Sequence, residues 1–121
     1  MKSENSIIEK GVVSMPREKF KTLTEQMFYI LLCLKDECYG IDIFEKIAEM
    51  TDGKVTVGSG TMYTLLEQFL DAEMIREVKV EGRRRSYILT NKGKEMLETE
   101  TQRLRTQVAN FDAFFGKGDA R

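Results

Sequence analysis

The sequence predicts a mainly α-helical domain with one small β-hairpin, and three observations support this prediction. Apolar residues recur at helical spacing in four stretches, which begin near positions 23, 41, 59 and 91. Residues 75–90, before the last of these stretches, are rich in β-branched and aromatic side chains and have Gly82 near their middle. The resulting order of three helices, a hairpin and a long helix is that of a winged helix-turn-helix with a long C-terminal dimerisation helix.

The composition limits the classes of function. The 121 residues suffice for one domain with a modest core. No apolar run reaches the length of a membrane span and no signal-peptide pattern opens the chain, so we expect a cytoplasmic protein without membrane contact. Histidine is absent and Cys33 and Cys38 are the only cysteines, so we expect no metal or other cofactor. Cys33 lies in an apolar run and is interpreted as a core thiol rather than a redox sensor.

The first two predicted helices run from Leu23 to about Leu34 and from about Ile41 to Met50. Apolar residues cover most of the circumference of the first helix, which indicates burial on more than one side, against its own domain and a partner subunit. The second helix has one apolar face and one charged face, and the turn residues 51–53 end it.

The third predicted helix has the pattern of a recognition helix. Its apolar residues Met62, Leu65, Leu66, Phe69 and Leu70 follow helical spacing, and Ser59 is expected to be its N-cap. The opposite face is short-chained and rich in hydroxyl groups at its N-terminus and becomes acidic only further on, as suits the first turns of a helix in the major groove. Its predicted DNA-binding residues are Ser59, Gly60, Thr61, Tyr63, Thr64 and Gln68. An ordinary solvated helix face is the alternative interpretation.

The hairpin is expected to be a DNA-binding wing. Residues 76–92 carry six basic and two acidic side chains, whereas residues 23–75 carry three basic and ten acidic ones, and the net charge of the chain is −1. Arg83, Arg84 and Arg85 are predicted to stand together on the hairpin tip. Adjacent like charges repel one another, so we favour contact with phosphate over a merely solvated loop.

The last helix is predicted from about Asn91, with Thr90 as its cap, to Phe115. Leu97, Leu104 and Phe111 repeat every seven residues, and no later segment is present in the sequence to cover them, which indicates a homodimer. Its predicted interface also draws on the first helix and comprises Met27, Leu31, Leu97, Leu104, Val108, Phe111, Phe114 and Phe115. We divide the chain into a flexible extension (1–15), a winged helix-turn-helix (16–90), a dimerisation helix (91–115) and a disordered tail (116–121).

Four short motifs in this order resemble the PadR family of bacterial transcriptional regulators. They are Tyr39-Gly40, Gly60-Thr61-Met62-Tyr63, the run from Gly82-Arg83 to Tyr87, and Leu89-Thr90 followed by Gly93. The resemblance covers roughly residues 23–115, and the single last helix is similar to that of the shorter of the family's two architectures. Thr64 stands where the family often has proline.

The resemblance implies a sequence-specific DNA-binding regulator, specifically a homodimeric repressor that binds a pseudo-palindromic operator and is released by a small-molecule effector near the dimer interface. It further implies that Tyr39 contacts DNA together with the recognition helix and the wing arginines. A winged helix that binds a protein instead of DNA is the alternative. An enzyme is not expected, because the sequence has no histidine, no phosphate-binding glycine loop and no catalytic residues that converge.

Overall fold

The structure is a computed structural model that describes residues 22–116. The predicted extension (1–15) and all of the predicted tail except Gly116 lie outside the described residues. Gly116 ends the last helix and donates its backbone N–H to the Asp112 carbonyl at 2.7 Å.

The described residues form four helices and a β-hairpin in the predicted order, with one further short strand, which confirms the winged helix-turn-helix fold. These elements are α1 (Glu25–Cys33), β1 (Cys38–Tyr39), α2 (Gly40–Thr51), α3 (Ser59–Asp71), β2 (Ile75–Glu81), β3 (Arg84–Leu89) and α4 (Asn91–Phe115). The three strands form one antiparallel sheet in the order β1-β3-β2. The short strand β1 was not predicted, since two residues are too few to show a pattern of alternation.

Two of the helix starts use a threonine cap. The Thr24 hydroxyl accepts from the backbone N–H of Met27, and the Thr90 hydroxyl accepts from that of Gly93, each at 3.1 Å. The cap predicted for Thr90 is therefore confirmed. The cap predicted for Ser59 is wrong, because the N-cap position of α3 is occupied by Gly58, which has no side chain to form a capping hydrogen bond. Ser59 is instead the first helical residue and is exposed.

The core lies between α1, α2, α3 and the sheet. Its fully buried large side chains are Ile30, Leu31, Leu34, Ile43, Ile47, Met62, Leu66, Phe69 and Met74. Leu31 is 0% exposed inside its own domain, so its predicted place in the dimer interface is wrong. Met27 and Leu97 are partly buried against the same core. Four apolar faces converge there, and Leu31 has no surface left for a partner.

Both cysteines are free and buried, which confirms the interpretation of Cys33 as a core thiol. Burial, and secondarily the neighbouring Cys38 sulfur, raises the pKa of the Cys33 thiol to about 11. A thiol that stays protonated at neutral pH is a poor nucleophile, and therefore Cys33 is unsuited to redox sensing.

The start of α4 is fixed tightly to the turn before β2. The Thr90 backbone N–H donates to the Met74 carbonyl at 3.0 Å, and the Thr90 hydroxyl donates to the Glu73 carbonyl at 2.7 Å. A Cβ atom at Gly93 would lie 2.0 Å from the same Met74 oxygen. Only glycine therefore fits at this position without movement of the backbone.

Glu100 is a charged residue buried where α4 passes the start of α1. It is 3% exposed and accepts from the Arg103 Nε at 3.0 Å. The hydrogen bonds from Arg103 lower the pKa of the Glu100 carboxyl, and burial partly opposes this lowering. A backbone hydrogen bond from Leu23 lowers the pKa further. The ionised carboxylate therefore connects α4 to the segment before α1.

We expect Glu100→Gln to lower the thermal unfolding midpoint at pH 7 and to have less effect in acid. A folded-state pKa below the ordinary 4.5 stabilises the fold fully above that pH, and the stabilisation is lost as the pH falls through the lowered pKa. Thermal unfolding of the parent and the variant at pH 7 and pH 3 measures the difference. Glu98→Gln, at an exposed position of the same helix, is the control. If the difference in unfolding midpoint between the parent and Glu100→Gln is the same at both pH values, the stabilising role of the ionised Glu100 carboxylate is contradicted.

Candidate nucleic-acid interface

The exposed face of α3 is polar and has no acidic residue in its first turn. Met62, Leu65, Leu66 and Phe69 are buried, and the residues between them therefore turn outward. Ser59, Gly60, Thr61, Tyr63 and Thr64 are exposed, and Gln68 is half-buried one turn further along. Free backbone N–H groups and the positive end of the helix dipole favour an anion at this end of the helix.

Tyr63 is held in a defined position on this face. Its ring packs edge-on against Phe44 of α2, with the ring centroids 6.4 Å apart. A Cβ atom at Gly40 would lie only 3.3 Å from Tyr63 Cε1, so the absence of a side chain at Gly40 lets the ring approach α2 closely. Tyr63 is 44% exposed, so its ring is fixed against α2 on one side and remains accessible to a ligand on the other.

A groove of about 780 Å³ separates the recognition helix from the wing, which we define as the β2–β3 hairpin, residues 75–89. Ile41, Tyr63, Thr64 and Glu67 belong to the helical side. The wing side is formed by residues 83–85 together with Tyr87. The fold thus places the predicted recognition helix and the predicted arginine cluster on opposite sides of one groove.

The three arginines are not all on the hairpin tip. The loop consists of Gly82 and Arg83, whereas Arg84 and Arg85 are the first residues of β3 and pair with Glu81 and Val80. The prediction of a common tip is therefore wrong for these two residues, since the strands extend further than their β-branched pattern indicated. Consecutive strand residues point to opposite faces of a sheet, and so Arg84 and Arg85 have different surroundings.

Arg84 belongs to a cluster with Tyr39 and Glu81. Its guanidinium carbon lies 4.0 Å from the centre of the Tyr39 ring, a cation–π contact. The Tyr39 hydroxyl donates to Glu81 Oε1 at 2.7 Å. This hydrogen bond is the main reason that the pKa of Tyr39 is raised. Tyr39 therefore lies at the wing, beside an arginine, and not on the recognition helix.

Arg85 is engaged on the other face of the hairpin, where its Nη1 donates to Glu77 Oε2 at 2.9 Å. Burial, and secondarily Glu77, raises the pKa of the neighbouring Tyr87 hydroxyl. Arg83 is exposed and forms no ion pair with any residue between 22 and 116. Of the three arginines, only Arg83 has no partner of its own within the described chain.

The base of the wing is anchored to the rest of the domain. The buried Ser86 hydroxyl donates to Glu37 Oε2 at 2.7 Å, and the Leu89 backbone N–H donates to the Leu34 carbonyl at 2.9 Å. Cys38 and Tyr39 of β1 pair with Tyr87 and Ser86 of β3. These contacts fix the direction of the hairpin relative to α2 and α3.

Three residues of this surface were missed by sequence reasoning. Ile41 is 57% exposed and lines the same groove as Tyr63. Its position off the stripe of Ile43 and Ile47 was the available signal. Glu77 and Glu81 were counted only as charges, because a contact across strands cannot be assigned before the register is known.

Comparison with known proteins identifies the family. The model of the "Transcriptional regulator PadR-like family" matches residues 30–99, more than half of the chain. The chain belongs to this family. The PadR-like family consists of transcriptional regulators, not enzymes, and membership implies DNA-binding regulation. No curated protein sequence matches the chain. Within residues 22–116, no helix combines the length and the apolar character that crossing a membrane requires.

Solved structures of PadR family members share the fold. A regulator from hypervirulent Clostridium difficile is 25% identical, with a TM-score of 0.61, and the match covers 74% of this chain and 98% of that one. A regulator from Eggerthella lenta is 14% identical, with a TM-score of 0.66 and coverage of 77% and 83%. A PadR-like regulator from Bacillus cereus is 23% identical, with a TM-score of 0.61 and coverage of 74% and 90%.

Proposed function

We propose that this PadR-like chain is a homodimeric repressor that binds a specific pseudo-palindromic operator and is released by a small-molecule effector. The groove between α3 and the wing is the observation that supports DNA binding most strongly. One side of the groove includes the start of α3, whose first turn has no acidic residue and whose Glu67 lies further along, and the other side contains three arginines. A phosphate backbone is complementary to the helix start and to the arginines.

Each element has a separate role in this proposal. The first turns of α3 enter the major groove, where Ser59, Thr61 and Thr64 offer hydroxyl groups to base edges or phosphates. Gly60 has no side chain, so the helix start can approach DNA closely, while Gln68 lies at the edge of the contact. The wing arginines and Tyr39 bind the backbone or the minor groove. Residues 16–90 then form the DNA-binding domain.

The distal half of α4 supports a homodimer through residues 91–115. Leu104, Val108, Phe111, Phe114 and Phe115 are between 37% and 86% exposed, although all are large and apolar. The rings of Phe111 and Phe115 stack with centroids 4.8 Å apart and form a continuous apolar surface. A second copy of the same helix would remove this surface from water, with Met27 and Leu97 contributing only at its inner end. Repression and an effector at this interface are proposals drawn from the family resemblance alone.

We expect Thr61→Ala and Tyr63→Ala each to weaken binding to the operator more than binding to random DNA. Mobility-shift assays on a duplex from the region upstream of the protein's own gene, with a random duplex of equal length beside it, measure both affinities. A lost base contact costs about 1–3 kcal/mol of discrimination, whereas a lost phosphate contact weakens both complexes equally. Thr61 is exposed and neither residue belongs to the buried core, so the fold is expected to remain intact, although Tyr63→Ala also removes the ring contact with Phe44.

Tyr63→Phe is the matched variant, because it retains the ring against Phe44 and removes only the hydroxyl. A parent protein that binds neither duplex would contradict DNA binding and favour a winged helix that binds protein. Equal affinities for both duplexes in the parent would contradict sequence specificity at that site.

A further inference from the structure

The wing contains its own anions, and both of them contact groups proposed to bind DNA. Glu77 and Glu81 are the two acidic residues between positions 76 and 92. Glu77 binds the Arg85 guanidinium at 2.9 Å, and Glu81 accepts from the Tyr39 hydroxyl at 2.7 Å. The excess positive charge of the wing is therefore partly neutralised inside the hairpin itself.

The strand register places one carboxylate on each face of the hairpin. Glu81 is directly opposite Arg84, whose guanidinium covers the Tyr39 ring. Glu77 is opposite Tyr87, and Arg85 lies two residues before Tyr87 on the same face. A β-bulge between Glu77 and Lys79 interrupts the ladder at this point. Each face thus has a cation or hydroxyl proposed to bind DNA together with an acid that holds it.

The ion pair between Arg85 and Glu77 is weak enough for DNA to replace it. The side chains of Arg85 and Glu77 are 57% and 32% exposed, and an ion pair of this kind contributes little to stability. A phosphate that approaches Arg85 must displace Glu77, whose charge then remains near the DNA and repels it. Glu77 therefore reduces the binding free energy of the Arg85–phosphate contact in two ways. It competes for the guanidinium, and its free charge then repels the DNA.

We propose that Glu77 and Glu81 set the strength of wing binding to DNA of any sequence, because each holds a side chain that phosphate would otherwise engage. The inference rests on the proposed DNA-binding function and assigns a positioning role to two residues outside the recognition helix. Binding to random DNA is limited by these acids, whereas discrimination between sequences depends on α3. The strongest effect is assigned to Glu77, which makes a direct ion pair.

The test is Glu77→Gln, with affinity for a random duplex measured by fluorescence anisotropy over a series of salt concentrations. We expect tighter binding and a steeper dependence of log K on log salt, by up to about 0.9 for each arginine released to a phosphate. The same substitution in an Arg85→Gln background should raise the affinity and the slope much less, because only the direct repulsion between Glu77 and the DNA is then removed. If Glu77 had only a structural role, its substitution would not change the slope of log K against log salt.

Three further variants isolate the cause. Glu98→Gln removes the same charge from an exposed position on α4 and should leave the slope at the parental value. Glu81→Ala releases the Tyr39 hydroxyl, whereas Glu81→Gln removes the same charge but keeps an oxygen that can accept from Tyr39. We therefore expect Glu81→Ala to bind the random duplex more tightly than Glu81→Gln.

The results distinguish a failure of this inference from a failure of the proposed DNA-binding function. An unchanged slope in Glu77→Gln overturns the inference for Glu77, and equal affinities of Glu81→Ala and Glu81→Gln for the random duplex overturn it for Glu81. An equal gain in the Arg85→Gln background, or in Glu98→Gln, shows a general charge effect and also overturns it. Failure of the parent protein to bind any duplex is a failure of the proposed function instead.

Discussion

Gly93→Ala is expected to destabilise the domain by about 3 kcal/mol, a typical upper value for overpacking. The new Cβ would lie 2.0 Å from the Met74 carbonyl oxygen, a backbone atom that no rotamer change can move. Relief requires a shift of α4 away from the turn before β2. That shift would break the 3.0 Å hydrogen bond from the Thr90 backbone N–H to the same oxygen. Urea unfolding followed by circular dichroism measures the loss.

Gly60→Ala is the matched control, since it makes the same substitution in the first turn of α3. A Cβ at Gly60 meets no atom within 4 Å. Alanine is a better helix former than glycine by up to about 1 kcal/mol, so this variant should be equally or more stable than the parent. If Gly93→Ala unfolds at the parental urea concentration, the close packing of α4 on Met74 is contradicted.

Local patterns were sufficient to predict every element of this fold except the two-residue strand β1. The apolar spacing of α3 and the threonine before α4 each mark a helix within one chain segment, and both helices begin within two residues of the expected position. The family motifs then placed these elements in a winged helix-turn-helix. Packing between segments was harder to foresee. Leu31 has the same apolar character as an interface residue, and only the positions of α2 and α3 show that it is buried.

In the candidate site, too, some residues could be assigned from local patterns and others could not. The polar face of α3 follows from helical periodicity, so Thr61 and Tyr63 could be assigned from the sequence. The wing depends on strand register, which sets the face on which each side chain lies. Arg84 and Arg85 are adjacent in sequence but contact Tyr39 and Glu77 respectively. No local pattern separates two neighbouring arginines of one run.

The second large effect is expected from Leu104→Asp combined with Phe111→Asp, which should convert the proposed homodimer into monomers. Leu104, Val108, Phe111 and Phe115 lie within about 60° of one another around α4 and form one apolar stripe. Two aspartates in this stripe would have to be desolvated against the same residues of the second copy, which is unfavourable for unpaired charges. Sedimentation velocity at micromolar concentration measures the change in mass.

Loss of the dimer should also weaken operator binding by about 10²-fold or more, because two linked half-site contacts become independent. Thr106→Asp combined with Ala113→Asp adds the same charge on the opposite, exposed face of α4 and should leave the protein dimeric. The core packing of Met96 and Leu97 lies closer to the sheet, so both double variants should keep the fold. A parent protein that sediments as a monomer would contradict the dimer directly. A monomeric variant with parental operator affinity would show that one domain suffices for binding, and that the apolar stripe serves another purpose.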